Sequence, residues 1–163
     1  MRPSRGAGRP GAGAVVHATD FSPASGPAFR AALWLARARR SPLVIVHVVA
    51  PLVQVPDVAV VSPPTYARFL DAAETGARRR LDRLVARARA AGVRASGVVT
   101  HGIPHEDIVQ TARRARAHVL VIGTHGRSGL RRALIGSVAA RVVAHARCPV
   151  LTVRGASGGD GAA

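Results

Sequence analysis

Short runs of β-branched residues alternate along the chain with longer stretches in which apolar side chains recur every third or fourth position. The runs occupy residues 14–19, 43–49, 94–100, 119–122 and 149–153, and most are continuously apolar. That pattern predicts strands covered on both faces. In the first intervening stretch Phe29, Leu33 and Ala36 have helical spacing, and the only tryptophan, Trp34, lies among them. The longest stretch steps through Leu70, Ala73, Ala77, Leu81, Leu84, Ala88 and Ala91, with arginines on the opposite face, and stops at Gly92, a residue suited to a helix end. Ile108, Ala112 and Ala115 mark a third helix, and Val138, Val142 and His145 a fourth.

Strict alternation of strand and helix predicts an α/β fold, an open five-stranded parallel sheet with helices on both faces. The folded domain is expected over residues 14–154, between a basic tail, residues 1–13, and a Gly- and Ala-rich tail, residues 155–163, both expected to be flexible. Residues 50–65 contain Pro51, Pro56, Pro63 and Pro64 and are expected to be irregular. The chain has no internal repeat.

Composition narrows the chemistry. All 24 basic side chains are arginine, against 8 acidic ones, for a formal charge of +16 on 163 residues. Without lysine, Schiff-base enzymes, Walker-type phosphate sites and kinase-type sites are excluded, because each needs that amine. A hydrophobic content of 48% with 20% charged residues is ordinary for a globular domain. The single cysteine, Cys148, cannot form an intramolecular disulfide, and a reducing, cytoplasmic setting is expected. No apolar run approaches the roughly 18 residues of a membrane span, and the amino terminus lacks a signal-like apolar centre. The arginine surplus leaves two readings open: neutralisation of nucleic-acid phosphates, or a compositional default at surface positions. An aromatic content of 3% leaves little for stacking on single-stranded bases.

In doubly wound sheets, ligands bind beyond the carboxyl ends of the strands, where the strand order reverses. Thr19 and Asp20 follow the first run. Gly123, Thr124, His125, Gly126, Arg127, Ser128 and Gly129 follow the fourth, and Gly136, Ser137 and Val138 open the last helix. Glycines let main-chain amides approach an anion, and a helix start adds unpaired N–H groups and a favourable dipole. Ser137 fits an N-cap whose hydroxyl can also reach a phosphate oxygen. Arg127, Arg131 and Arg132 add positive charge nearby. The arrangement describes a phosphate site that works without lysine.

The spacing of Gly123, Gly126 and Gly136-Ser137 resembles the nucleotide-binding signature of the universal stress proteins. Ala18-Thr19-Asp20-Phe21-Ser22, His47-Val48 and the segment from Cys148 to Arg154 also resemble that family, over residues 14–154 in all. The resemblance implies a Rossmann-like fold of the adenine nucleotide alpha hydrolase type and a cytoplasmic, ATP-binding stress-response protein. It implies that Asp20 and the backbone at Val48 hold the adenosine part. The loop from Gly123 to Gly129 and the Gly136-Ser137-Val138 turn would hold the ribose and phosphates of ATP, or of AMP or ADP, with Mg²⁺ or Mn²⁺ bridging the phosphates. It further implies a homodimer through the last strand, Val150 to Val153, and a protein partner whose identity is open. Two positions depart from the family pattern. His118 stands where an acidic residue is common, weakening a surface contact at most, and Ala18 replaces a common proline, loosening the adenine pocket.

Other readings of the same residues remain. Asp20 also suits a cap of the following helix, and Arg127 a solvated loop. His101 and His105 have H-x₃-H spacing, but no cysteine pair or carboxylate cluster completes a zinc set, and Pro104 suggests a loop there. Leu130 occupies the second glycine position of a nucleophile elbow around Ser128, which argues against a serine hydrolase. No general base is identifiable for ATP hydrolysis, so at most slow turnover is expected. His17 and His47 fit packed, hydrogen-bonded roles within strands, and Cys148 a structural one. A nucleotide-free interaction protein of the same fold and a basic nucleic-acid-associated protein are the alternatives.

Overall fold

The computed structural model describes residues 13–50, 63–124 and 135–155. Both tails, most of the proline-rich segment and residues 125–134, which include His125, Gly126, Arg127, Ser128 and Gly129, lie outside the described residues. The strands are β1 (Val15–Ala18), β2 (Leu43–Val49), β3 (Ala95–His101), β4 (Val119–Gly123) and β5 (Val150–Val153). The helices are α1 (Gly26–Arg39), α2 (Pro63–Ala90), α3 (Pro104–Arg114) and α4 (Ser137–His145). A 3₁₀ turn, Pro23–Ser25, leads into α1.

All strand pairs are parallel, in the order β3-β2-β1-β4-β5. The chain walks outward from β1 to β3, crosses back to β4 and walks outward again, so the order reverses between β1 and β4. α1 and α2 cover one face, with Phe29, Ala32, Leu81, Val85 and Ala88 packed on Val15, Ile45 and Val121. α3 and α4 cover the other, with Ile108, Ala112, Ala139 and Val142 packed on Val16, Val46, Leu120 and Ile122. This is the doubly wound Rossmann-like sheet of the adenine nucleotide alpha hydrolase type.

Two segments differ from the sequence reading because proline is tolerated in the first helical turn, where its missing N–H is not needed. Pro63 and Pro64 begin α2, so the segment expected to be irregular does not extend to Thr65. Pro104 begins α3, which places His105 on a helix, with Glu106 and Asp107 favourably placed at the positive end of its dipole. Gly92 ends α2 at φ +80, as a helix stop should. Arg40 takes the equivalent left-handed position after α1 at φ 52 without glycine's freedom. His118 is half-buried rather than superficial, and its Nδ1–H donates to the Gly13 carbonyl at 2.7 Å. His145 does not join the buried stripe of α4; it is exposed and bonds the Arg141 carbonyl.

The largest side chain of the chain is not in the core: Trp34 is 68% exposed on α1, whereas Leu120 is 0% exposed in β4. Leu120→Ala therefore costs about 2–5 kcal/mol, while Trp34→Ala stays within about 0.5 kcal/mol. Urea unfolding followed by far-ultraviolet circular dichroism measures both; a larger loss for Trp34→Ala contradicts this packing.

Candidate functional site

β1 is short because its ladder with β2 ends at Ala18 and Val46. Thr19 N–H still donates to the Val46 carbonyl at 3.0 Å, but the Thr19 carbonyl accepts the His47 Nδ1–H at 2.8 Å. In a parallel ladder that carbonyl would take the Val48 N–H. Val48 has the same parity as Val46, so its main-chain N–H and C=O point past the end of β1 into an opening.

The residues after β1 are held by a local network. Ser25 Oγ donates to the Ser22 carbonyl at 2.8 Å, which leaves Thr19 Oγ1 to donate to Ser25 Oγ at 3.1 Å. Thr19 Oγ1 also accepts the Phe21 N–H at 3.0 Å. Phe21 is thereby fixed at φ 60, an uncommon conformation for a bulky residue. Asp20 Oδ1 accepts the N–H and the hydroxyl of Ser22 at 3.0 and 2.6 Å. Asp20 thus caps the Ser22 turn and not α1, and its Oδ2 accepts no hydrogen bond from the described residues.

On the other side of the switch point, Thr124 N–H donates to the Val153 carbonyl and Gly136 N–H to the Thr124 carbonyl, at 2.9 and 2.7 Å. α4 therefore starts beside the end of β4. Its first helical bond runs from Ala140 N–H to the Gly136 carbonyl, so the N–H groups of Ser137, Val138 and Ala139 have no acceptor within the helix. Gly136 is the N-cap and Ser137 the first helical residue, without a side-chain cap bond. This corrects the expected capping role of Ser137; a glycine N-cap leaves the amides open instead of covering them with a hydroxyl.

These ends line one cavity of about 790 Å³, within the range of small-molecule sites. Of the sequence-predicted residues, Thr19, Asp20, Val48, Gly123, Thr124, Gly136, Ser137 and Val138 line it together. The sequence reading missed its α2 wall, where Ala73, Gly76 and Ala77 leave room and Phe69 and Arg80 border the space. Arginines of this helix are expected on its outer face; the Arg80 guanidinium instead lies 5.8 Å from the centre of the Phe21 ring, which is itself 4.3 Å from the His47 ring. Its place four residues after Gly76, at the border of the small-residue stripe, was the available signal. Asp20 and Arg80 are the charged residues of the lining among the described residues.

Among the described residues no group of three or more His, Cys, Asp or Glu is placed to hold a metal ion. His101 Nε2 lies 3.2 Å from Glu74 Oε2, and the His105 ring lies 5.7 Å from that of His145, tilted by 52°. Cys148 is half-buried, and burial pushes its thiol pKa up, as for a structural residue.

The sequence profile of the Universal stress protein family matches residues 13–154. The chain belongs to the universal stress protein family. It is 30% identical to universal stress protein YxiE of Bacillus subtilis over 86% of this chain and 97% of that one. It is 44% identical to universal stress protein MJ0531 of Methanocaldococcus jannaschii over 63 residues, 39% of this chain and 37% of the relative's length. The solved structure of MJ0577 superposes with a TM-score of 0.76 over 87% of this chain and 95% of that one at 22% identity, a likeness of fold. The Archaeoglobus fulgidus universal stress protein in complex with dAMP is 25% identical, with a TM-score of 0.60, over 86% of this chain and 97% of that one. A universal stress protein in complex with cAMP is 26% identical, with a TM-score of 0.63, over 89% of this chain and 99% of that one. No helix among the described residues is long and apolar enough to cross a membrane.

Next to the cleft in this stress-protein fold, His17 is wholly buried in β1, with Nδ1–H donating to the Val121 carbonyl at 3.2 Å and Nε2 unpartnered. Burial lowers its pKa to about 4, against the opposing pulls of the Val121 bond and the Asp20 charge. An unfolded histidine titrates near 6.5. Between pH 6.5 and about 4 the unfolded chain takes up a proton that folded His17 refuses, so stability is full above that window and falls as pH drops through it. Urea midpoints should place the His17 contribution roughly 2 kcal/mol lower at pH 5 than at pH 7.5. His17→Leu should remove that part of the slope; an unchanged slope would show that His17 is not held neutral.

Proposed function

We propose that this universal stress protein binds an adenine nucleotide, ATP in the first place, in the cleft beyond β1, β2 and β4. One observation carries the reading: the open main chain of Val48, the free Oδ2 of Asp20 and the unpaired amides of Ser137, Val138 and Ala139 border a single cavity at the switch point. A donor and an acceptor on one strand edge suit an adenine edge, and a carboxylate oxygen suits a ribose hydroxyl. Amides at a helix start suit phosphate. The dAMP and cAMP complexes of relatives support the same ligand class.

In this reading Asp20 and Val48 take the adenosine part, with Thr19 shaping the turn that presents Asp20. Gly123 and Thr124, followed in sequence by His125, Gly126, Arg127, Ser128 and Gly129, take the ribose and phosphates together with Gly136, Ser137 and Val138. Mg²⁺ or Mn²⁺ enters on the phosphates, not on a protein cage, which agrees with one carboxylate among the described residues of the lining. The domain is residues 14–154. It acts in the cytoplasm as a sensor in the stress response, through a homodimer joined along β5, an edge strand with Leu151 exposed. It binds and does not turn over its nucleotide at more than a slow rate, because in this reading Asp20 holds the ribose and no other carboxylate among the described residues lines the cleft to activate a water.

Heat-denatured protein should release AMP, ADP or ATP detectable by chromatography. Mg-ATP at 100 times its Kd should stabilise the protein by about 2.7 kcal/mol, which raises Tm by roughly 5–10 °C. Asp20→Ala should weaken binding at least fivefold, on the order of one lost hydrogen bond to a charged group. No released nucleotide together with no thermal shift would sink the proposal.

A further inference from the structure

All five strands run the same way, so all four α-helices return their carboxyl ends to the side of the sheet opposite the cleft. Among the described residues, arginines gather on that side. Arg39 and Arg40 end α1, Arg94 precedes β3, Arg114 and Arg116 close α3, and Arg147 precedes β5; all six are exposed. The carboxylates of the described residues gather toward the other end. Asp20 follows β1, Asp71 and Glu74 lie early in α2, and Glu106 and Asp107 lie in the first turn of α3. Asp82 sits eight residues before the end of α2. No carboxylate among the described residues pairs with the six arginines.

Cations at helix carboxyl ends ordinarily offset the dipole, but the magnitudes do not match here. Four helix ends carry about −0.5 charge each, roughly −2 together, against six guanidinium groups. About four positive charges remain without a counterpart on one side of a small domain. We infer that this face, at the amino ends of the strands, is a docking surface for the phosphate backbone of duplex nucleic acid.

The aromatics of the described residues favour a duplex over other polyanions. Phe69 lies in the second turn of α2, away from this face, and Trp34 stands five residues before Arg39 on α1. A single ring beside the arginines gives no platform for successive single-stranded bases and no aromatic belt for a lipid headgroup layer. Guanidinium groups spread over four helix ends instead match a charged backbone read through its phosphates and not its bases. The surface is separate from the nucleotide cleft, and its test does not depend on that reading.

Fluorescence anisotropy with a labelled 20-base-pair duplex of mixed sequence, from 50 to 200 mM salt, tests it directly. Four to six phosphate contacts give a slope of log K against log salt of about −4 to −5. The triple variant Arg39→Glu, Arg94→Glu, Arg114→Glu should lose at least tenfold in affinity and flatten the slope by about 3. The control triple Arg68→Glu, Arg79→Glu, Arg83→Glu, on exposed α2 positions, changes the net charge equally and should stay within about threefold of the native protein. The neutral triple Arg39→Gln, Arg94→Gln, Arg114→Gln should reproduce the loss in smaller measure, and circular-dichroism melting confirms that each variant is folded. Absence of duplex binding at 50 mM salt, equal losses in the two glutamate triples, or tighter binding to phosphatidylserine vesicles than to the duplex would overturn the assignment.

Discussion

The Thr19 carbonyl accepts the imidazole N–H of His47 in place of the main-chain N–H of Val48, and the opening in the sheet follows from that exchange. β1 stops after four residues while β2 continues to Val49, so one strand presents a main-chain donor and acceptor that no neighbour uses. The Thr19 hydroxyl then turns the chain through Phe21 and Ser25, which brings Asp20 to the same opening. A longer β1 would pair Val48 and close the sheet over the site. The cleft is thus a consequence of where one ladder ends, and the strain of Phe21 in the left-handed region belongs to the same turn.

The described sheet and helices were legible because burial on both faces of a parallel sheet leaves nearly continuous apolar runs, and the turn chemistry agrees with them. Strand boundaries shifted by about one residue, as at β3, because hydrogen-bond registry and not hydropathy sets the ends. The prolines misled where they open helices: a missing N–H looks like an interruption in sequence, yet at Pro63 and Pro104 it falls where no bond is required. The strand-end and helix-start residues of the site were also readable, since topology alone brings β1, β4 and α4 together. The α2 wall was not. Arg80 reads as one more surface arginine until the rings of Phe21 and His47 beneath it are known.

The same parallel topology that opens the cleft also sorts the charge. Helix starts gather at one end of the sheet with acidic residues among them, and helix ends gather at the other with arginine. Among the described residues the carboxylates and the helix-end arginines therefore lie toward opposite ends of the sheet. The end with unpaired amides suits a small phosphate ligand held by directed hydrogen bonds, while the opposite end suits a diffuse, salt-sensitive contact. The two ends ask for different ligands and are mutated independently.

Titration of ¹⁵N-labelled protein with Mg-ATP, followed amide by amide in two-dimensional NMR, tests the central claim most directly. The account predicts saturable shifts concentrated at Asp20, Val48 and the first-turn amides Ser137, Val138 and Ala139, all from one binding event. Shifts confined to the arginine-rich end around Arg94 and Arg116, or no saturable shift at all, would contradict it.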